Sequence, residues 1–220
     1  YKLRGGEDQS FESEASLLEA RGHHVIRHTR LNHAVDLMSA SQIARRSIWS
    51  SEDYTEVRKI VEREKIDVLH VQNFFPLISP SVYDAARAGG AAVVQSLRNY
   101  RLLCPNGLFF RDGKVCQDCA TKVFAWPGVL HGCYRASRTA SAAVAAMSFM
   151  HRVRGTWSDR VDRYIALTAF TKSEFVRSGF AADRISVKPN FLNFDPGAGA
   201  GQGGYAVYVG RLSPEKGIDT

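Results

Sequence analysis

Short runs of apolar, β-type residues alternate along the chain with longer segments whose apolar positions recur every three to four residues. That alternation predicts a parallel sheet covered by helices. Ser10 is placed to cap a helix that buries Phe11, Ala15 and Leu18 and stops at Gly22, and residues 25–28 follow as a strand. Ser51 caps a second helix through Tyr54, Val57 and Val61. Residues 68–71 form a strand, 80–88 a helix closed by Gly89 and Gly90, and 92–97 another strand. After an irregular segment from Arg98 to about Arg135, an alanine-rich helix over 139–153 leads to a strand at 164–167. A helix at 171–178 and a strand at 185–188 complete the rhythm. Residues 191–204 hold Pro196 and five glycines and read as a linker, beyond which residues 205–209 start a second unit. The predicted organisation is therefore an α/β, Rossmann-like domain over 1–190, a linker over 191–204, and the start of another domain over 205–220.

Bulk properties narrow the picture only a little. With 45% apolar and 23% charged residues, the chain can bury an ordinary core. Its net charge of +7 favours anionic partners. The cations are spread along the chain, and no helix gathers a basic stripe with interleaved aromatics, so a nucleic-acid module is disfavoured. The longest apolar stretch, residues 139–150 between Arg138 and His151, falls short of the roughly 20 residues that a spanning helix needs. A buried or interfacial helix is expected there, leaving a cytoplasmic protein in peripheral contact with an anionic membrane as one reading. The chain opens on Tyr1 without a signal-peptide pattern and ends at Thr220 inside a helix start, so truncation at both ends is expected.

In open parallel sheets, ligands sit beyond the carboxyl ends of the strands. By that rule the strand over 68–71 delivers Gln72 and Asn73; that over 92–97 delivers Arg98, Asn99 and Tyr100; that over 164–167 delivers Thr168. Each of these residues taken alone reads first as a loop cap, and their shared placement at strand ends is what points to a site. Gly5 and Gly6 precede a helix whose free amides could meet a phosphate or a sugar oxygen, although Glu7 and Asp8 beside them oppose a phosphate. After residues 205–209, Gly210 and Arg211 stand at a strand end with Lys216 and Gly217 close behind. An arginine fork and a lysine point charge beside flexible backbone suit a diphosphate.

The run Gly-Arg-Leu-Ser-Pro-Glu-Lys-Gly over 210–217 resembles the diphosphate loop of glycosyltransferase family 4, retaining enzymes of the GT-B fold. Arg-Gly-Gly-Glu at 4–7 is similar to that family's first glycine loop, and Asp-Val-Leu-His-Val-Gln-Asn at 67–73 to its central acceptor-domain strand. Asn-Tyr-Arg-Leu-Leu-Cys-Pro-Asn at 99–106 resembles a bacterial subgroup, and Val-Lys-Pro-Asn-Phe at 187–191 the run into the linker. The resemblance implies two Rossmann-like domains and a nucleotide-sugar donor held mainly by the second. A glycan or lipid-linked acceptor would lie on the first, in bacterial polysaccharide or glycolipid assembly, with no required divalent metal. It assigns Arg211 and Lys216 to the departing diphosphate and places Gly5 and Gly6 near the phosphates or transferred sugar. Arg98 and Gln72 stand where many members carry histidines, and the family's donor-domain glutamate pair would lie beyond Thr220. The 220 residues alone are accordingly expected to be catalytically silent.

Cys104, Cys116, Cys119 and Cys133 all fall in the irregular segment, with Asp112-Gly113 placed as a hairpin turn between them. A C-x2-C pair with two further cysteines suits a structural zinc, and free thiols with a packing role are the other reading. Three function classes follow: a glycosyltransferase, a non-catalytic partner subunit that keeps the transferase fold, and a zinc-containing nucleic-acid-binding module.

Overall fold

The computed structural model describes residues 5–31, 35, 37–192, 197–210 and 212–218. Helices α1 (Gly6–Ala20), α2 (Ala40–Ile48) and α3 (Ser51–Glu64) precede strand β1 (Val68–Val71), helix α4 (Ser81–Ala88) and strand β2 (Ala92–Leu97). A two-stranded hairpin, β3 (Phe110–Arg111) and β4 (Lys114–Val115), comes next. It is followed by α5 (Trp126–Leu130) and α6 (Arg138–Val153), then β5 (Arg163–Ala166), α7 (Ala169–Arg177) and β6 (Ile185–Val187). The sheet runs β1-β2-β5-β6 with every pairing parallel, the arrangement of a Rossmann-like α/β domain.

Helices cover this sheet because their apolar stripes find the apolar strand faces. Val57 and Val61 of α3, Tyr83, Ala85 and Ala86 of α4, and Val93 of β2 are all buried together. Each of these valines, fully buried, contributes about 1.5–3 kcal/mol, and each alanine methyl about 0.8 kcal/mol. Phe74, Tyr83 and Trp157 pack ring to ring at centroid distances of 6.0 to 6.1 Å. The polar ends of these aromatics are satisfied: the Tyr83 hydroxyl donates to Gln95, and the Tyr164 hydroxyl donates to the Trp157 carbonyl at 2.7 Å. His151, buried on α6, donates from Nε2 to the Ile48 carbonyl at 2.8 Å and accepts at Nδ1 from Thr156 at 2.9 Å. That one imidazole ties the end of α2 to α6 and to the π-helical turn Thr156–Arg160.

Strands 68–71 and 92–97 stand where the apolar pattern predicts them, and Asp112 and Gly113 (φ 52° and 76°) form the predicted hairpin turn. Three expectations are corrected. First, α1 begins at Gly6, and its buried residues are Ser13, Glu14 and Ala15, with Leu18 exposed. The helix lies against a polar cluster, so apolar periodicity misreads its inner face. Second, residues 25–28 are not a strand. Ion pairs hold this stretch instead: Arg27 to Glu12 and Glu19, Arg30 to Asp53 and Glu56. Third, α2 occupies what reads as a polar stretch. Its capping box is Ser39 with Gln42, whose Oε1 accepts the Ser39 N–H at 2.8 Å. Residues 205–209 join no ladder among the described residues, and a strand is stable only against a neighbour.

Candidate functional site

The carboxyl ends of β1, β2 and β6 converge on α1, and the convergence is polar. Glu14, two turns into α1, is buried and accepts from three side chains at once. Arg98 Nη2 reaches its Oε1 at 3.0 Å, Lys188 Nζ reaches the same oxygen at 2.8 Å, and Gln72 Nε2 reaches Oε2 at 2.5 Å. The Arg98 guanidinium also donates to Gln72 Oε1 at 2.9 Å and to Asn190 Oδ1 at 2.7 Å. Ser10, one turn earlier on the same helix face, lies 3.3 Å from that Asn190 oxygen. His70 of β1 completes the floor, with Nε2 at 2.9 Å from Ser96 Oγ.

Charge in this cluster is set by competing terms. Burial pushes the Glu14 pKa up, but hydrogen bonds from Lys188 and Gln72 and the charges of Lys188 and Arg98 outweigh it, so the carboxylate stays ionised. Burial pulls the His70 pKa down, and the neighbouring Arg98 and Lys188 add to that against the pull of Glu14. His70 is therefore neutral near pH 7. One carboxylate faces two cations, which leaves one positive charge over among these described side chains. The Arg98 side chain is 5% exposed and committed to its three partners, while that of Lys188 is 40% exposed. Lys188 is thus the cation that an anionic guest can reach. Glu7, one further turn back along the same face of α1, has a buried Oε1 with no hydrogen-bond partner among the described residues.

The other residues expected at the site divide by what they touch. Asn73 Oδ1 accepts the N–H of Phe75 at 3.0 Å, Asn99 Oδ1 that of Arg101 at 3.0 Å, and Thr168 Oγ1 that of Thr171 at 3.0 Å. All three act as local caps in this structure. Tyr100 stacks on Phe109 at 4.3 Å and on Phe175 at 6.2 Å, with its hydroxyl 3.5 Å from Thr171 Oγ1. Gly5 caps α1, and its N–H is taken by Asp8 Oδ2 at 2.8 Å; at Gly6 there is open space where a Cβ would stand. Lys216 is exposed on the short turn Pro214–Lys216, and Arg211 lies outside the described residues.

Sequence reasoning found Arg98 and missed Glu14, His70, Lys188 and Asn190. Two signals were available. Glu7, Ser10 and Glu14 repeat at the helical interval, and Lys188 and Asn190 directly follow the last strand, where the strand-end rule applies again.

The four cysteines are reduced, with Cys104 and Cys119 buried. Burial first, then the nearby thiols, push the Cys119 thiol up to about 11 and raise that of Cys133, so neither is a reactive thiolate. No three of the sulfurs lie within 4.8 Å of one another; the His28, Asp53 and Glu56 ligand atoms do. Asp53, however, already takes the Nε–H of Arg30 at 2.9 Å and an Nη–H of Arg46 at 3.0 Å, which leaves no room for a competing cation.

No helix among the described residues is long and apolar enough to cross a membrane. No curated protein and no solved structure matches the chain. Residues 5–190, spanning every strand and the whole Glu14 cluster, match the family described as glycosyl transferase 4-like domain. With most of its length inside that match and a parallel sheet of the corresponding kind, the chain belongs to the glycosyl transferase 4-like family.

Proposed function

We propose that this chain is the acceptor-side half of a nucleotide-sugar-dependent glycosyltransferase of GT-B architecture. It serves the transfer of a hexosyl-type sugar, with retained configuration, to a glycan or lipid-linked acceptor in bacterial polysaccharide or glycolipid assembly at the cytoplasmic face. The observation that carries this reading is the surplus positive charge of the Glu14–Arg98–Lys188 cluster at the strand ends. Breaking the bond between sugar and diphosphate leaves negative charge on the departing oxygen. Cations already fixed in place stabilise that charge without reorganising when it appears. Glu14 fixes both cations, and Lys188 presents the exposed one. The unpartnered Glu7 oxygen, beside the Gly5–Gly6 turn, suits a sugar hydroxyl as donor. Arg211 and Lys216 are proposed as the donor-side cations, with Asn73, Asn99, Tyr100 and Thr168 shaping the rim.

The complete internal engagement of Arg98 favours a second reading, a non-catalytic partner that keeps the fold and lends its surface to another transferase. Turnover separates the two. Protein carrying both halves, incubated with a panel of sugar nucleotides and a glycan or lipid extract, is expected to release nucleoside diphosphate only when acceptor is present. A protein that binds sugar nucleotides or acceptor yet gives no release with any donor supports the partner reading.

A further inference from the structure

The segment between Asp118 and Asp159 contains no aspartate or glutamate, and it carries Lys122, Arg135, Arg138, Arg152 and Arg154. None of these five cations is ion-paired with a carboxylate among the described residues. Soluble surfaces ordinarily intersperse both signs of charge. The same segment leaves Val123, Phe124, Trp126, Leu130, Met150 and Val153 exposed. These residues are held together by contacts between α5, its leading loop and α6. The Phe124 ring packs edge-on against Phe149 at 5.7 Å, Arg152 donates to the Lys122 carbonyl at 3.1 Å, and Arg138 donates to the Leu130 carbonyl at 3.0 Å. On α6, Ala142, Ala146, Phe149, Met150 and Val153 recur at helical spacing, and no charged residue interrupts the helix between Arg138 and His151. A helix with apolar residues on every side normally lies buried; here part of its surface faces outward.

We infer that the face formed by α5, its leading loop and the outer side of α6 docks on an anionic lipid bilayer. The aromatic and aliphatic side chains enter the headgroup region while the acid-free set of cations meets the lipid charge. Charge complementarity selects this occupant. A second copy packed on the same face would set the exposed Lys122, Arg135, Arg138 and Arg154 against their own counterparts, with no acid in the segment to relieve them. The face also borders the proposed acceptor cluster. A hollow lined by Gln72 and Arg98 and another lined by Lys122 and Val123 share Arg101 and Leu102. Docking itself does not depend on the transferase reading.

The test uses the chain's own fluorophores. Trp126 is 53% exposed, Trp157 is buried, and Trp49 is half-buried and stacked on Tyr54 at 6.0 Å, so a change on docking reports chiefly Trp126. Purified protein is sedimented with vesicles of phosphatidylcholine alone or with about 30% phosphatidylglycerol, which supplies the negative surface potential. The expected result is binding to the anionic vesicles only, weakened by salt, with a blue shift of tryptophan emission. Trp126→Ser is expected to abolish the shift and to weaken partitioning about tenfold. Removing Lys122 and Arg135 as alanine variants is expected to weaken it about fivefold each. Val153→Ser serves as a second apolar variant, and unchanged melting temperatures confirm folding. Absence of binding to anionic vesicles overturns the inference, as does equal binding by the Trp126→Ser and Val153→Ser chains. A dimer dissolved by Trp126→Ser, or tighter binding to polyglutamate than to vesicles, would assign the face to a protein and equally overturn it.

Discussion

Burial disfavours a carboxylate, and at Asp53 that cost is offset by a dense set of partners. Its side chain is 0% exposed, yet Ser50, Arg30, Arg46 and His28 surround it. Burial pushes its pKa up, but His28 at 3.7 Å, the hydrogen bond from Ser50 and the charges of Arg30 and Arg46 win, holding it well below the carboxylate range. A carboxyl depressed in the folded state contributes stability above its ordinary value of 3.8, and that contribution is lost as pH falls through the folded value. Asp53→Asn is therefore expected to cost about 3 kcal/mol at pH 7, with the difference from wild type shrinking below about pH 4 in denaturant titrations. A constant difference down to pH 2 would reject this account. Little of this was legible in the sequence. Asp53 reads there as an ordinary acid in the first turn of a helix, and nothing in the pattern brings its partners Arg30 and Arg46, from two other segments, onto it. Glu14 was hidden for a related reason: periodicity locates buried faces by their apolar residues, and this face of α1 is polar.

Among the elements, the contact of α3 with α4 depends on a small residue. A Cβ on Gly89 would stand 2.5 Å from Cγ1 of the buried Val61. Gly89→Ala is expected to destabilise the fold by about 1–3 kcal/mol, and Val61→Ala in the same chain should recover part of that loss in thermal melts. The join of α2 to α6 depends on a neutral His151, whose pKa burial pulls down. Below its ordinary value of 6.5 the unfolded chain takes up a proton that the folded chain resists, so stability falls as pH drops through that range. His151→Gln should flatten the slope of stability between about pH 7 and pH 5, and an unchanged slope would place the titration elsewhere. For the cysteine-bearing segment, the zinc reading requires the sulfurs to draw together from their present separation. Protein made under reducing, zinc-replete conditions should then contain about one zinc per chain, whereas metal-free protein would leave the thiols a packing role. Strands β1 and β2 were legible because parallel strands covered by helices are near-continuous apolar runs. Helix α2 escaped because its apolar stripe, Ala40, Ile43, Ala44 and Ile48, is short and rests on small residues set among polar ones, with the capping box as the other signal.

At the scale of the whole molecule, a parallel sheet carries its functional side chains at one edge, and the strand-end rule read from sequence leads to that edge. It located Arg98 but could not say that the guanidinium is already committed to Glu14, Gln72 and Asn190. Only the packing of α1 across the strand ends reveals this, and it transfers the exposed-cation role to Lys188. The central claim is that the Glu14–Arg98–Lys188 cluster is built to receive an anion during sugar transfer. Glu14 and Arg98 are buried, so changing either mixes stability with function; Lys188 is not, and it separates the two. The most direct measurement is the steady-state kinetics of Lys188→Ala, in protein carrying both halves, beside its melting temperature. The account predicts a loss of about 100-fold in kcat/KM, as for other preorganised groups that meet transition-state charge, far beyond the modest fall in melting temperature expected when Glu14 loses one of its two cations. Wild-type kinetics in the Lys188→Ala protein would contradict it.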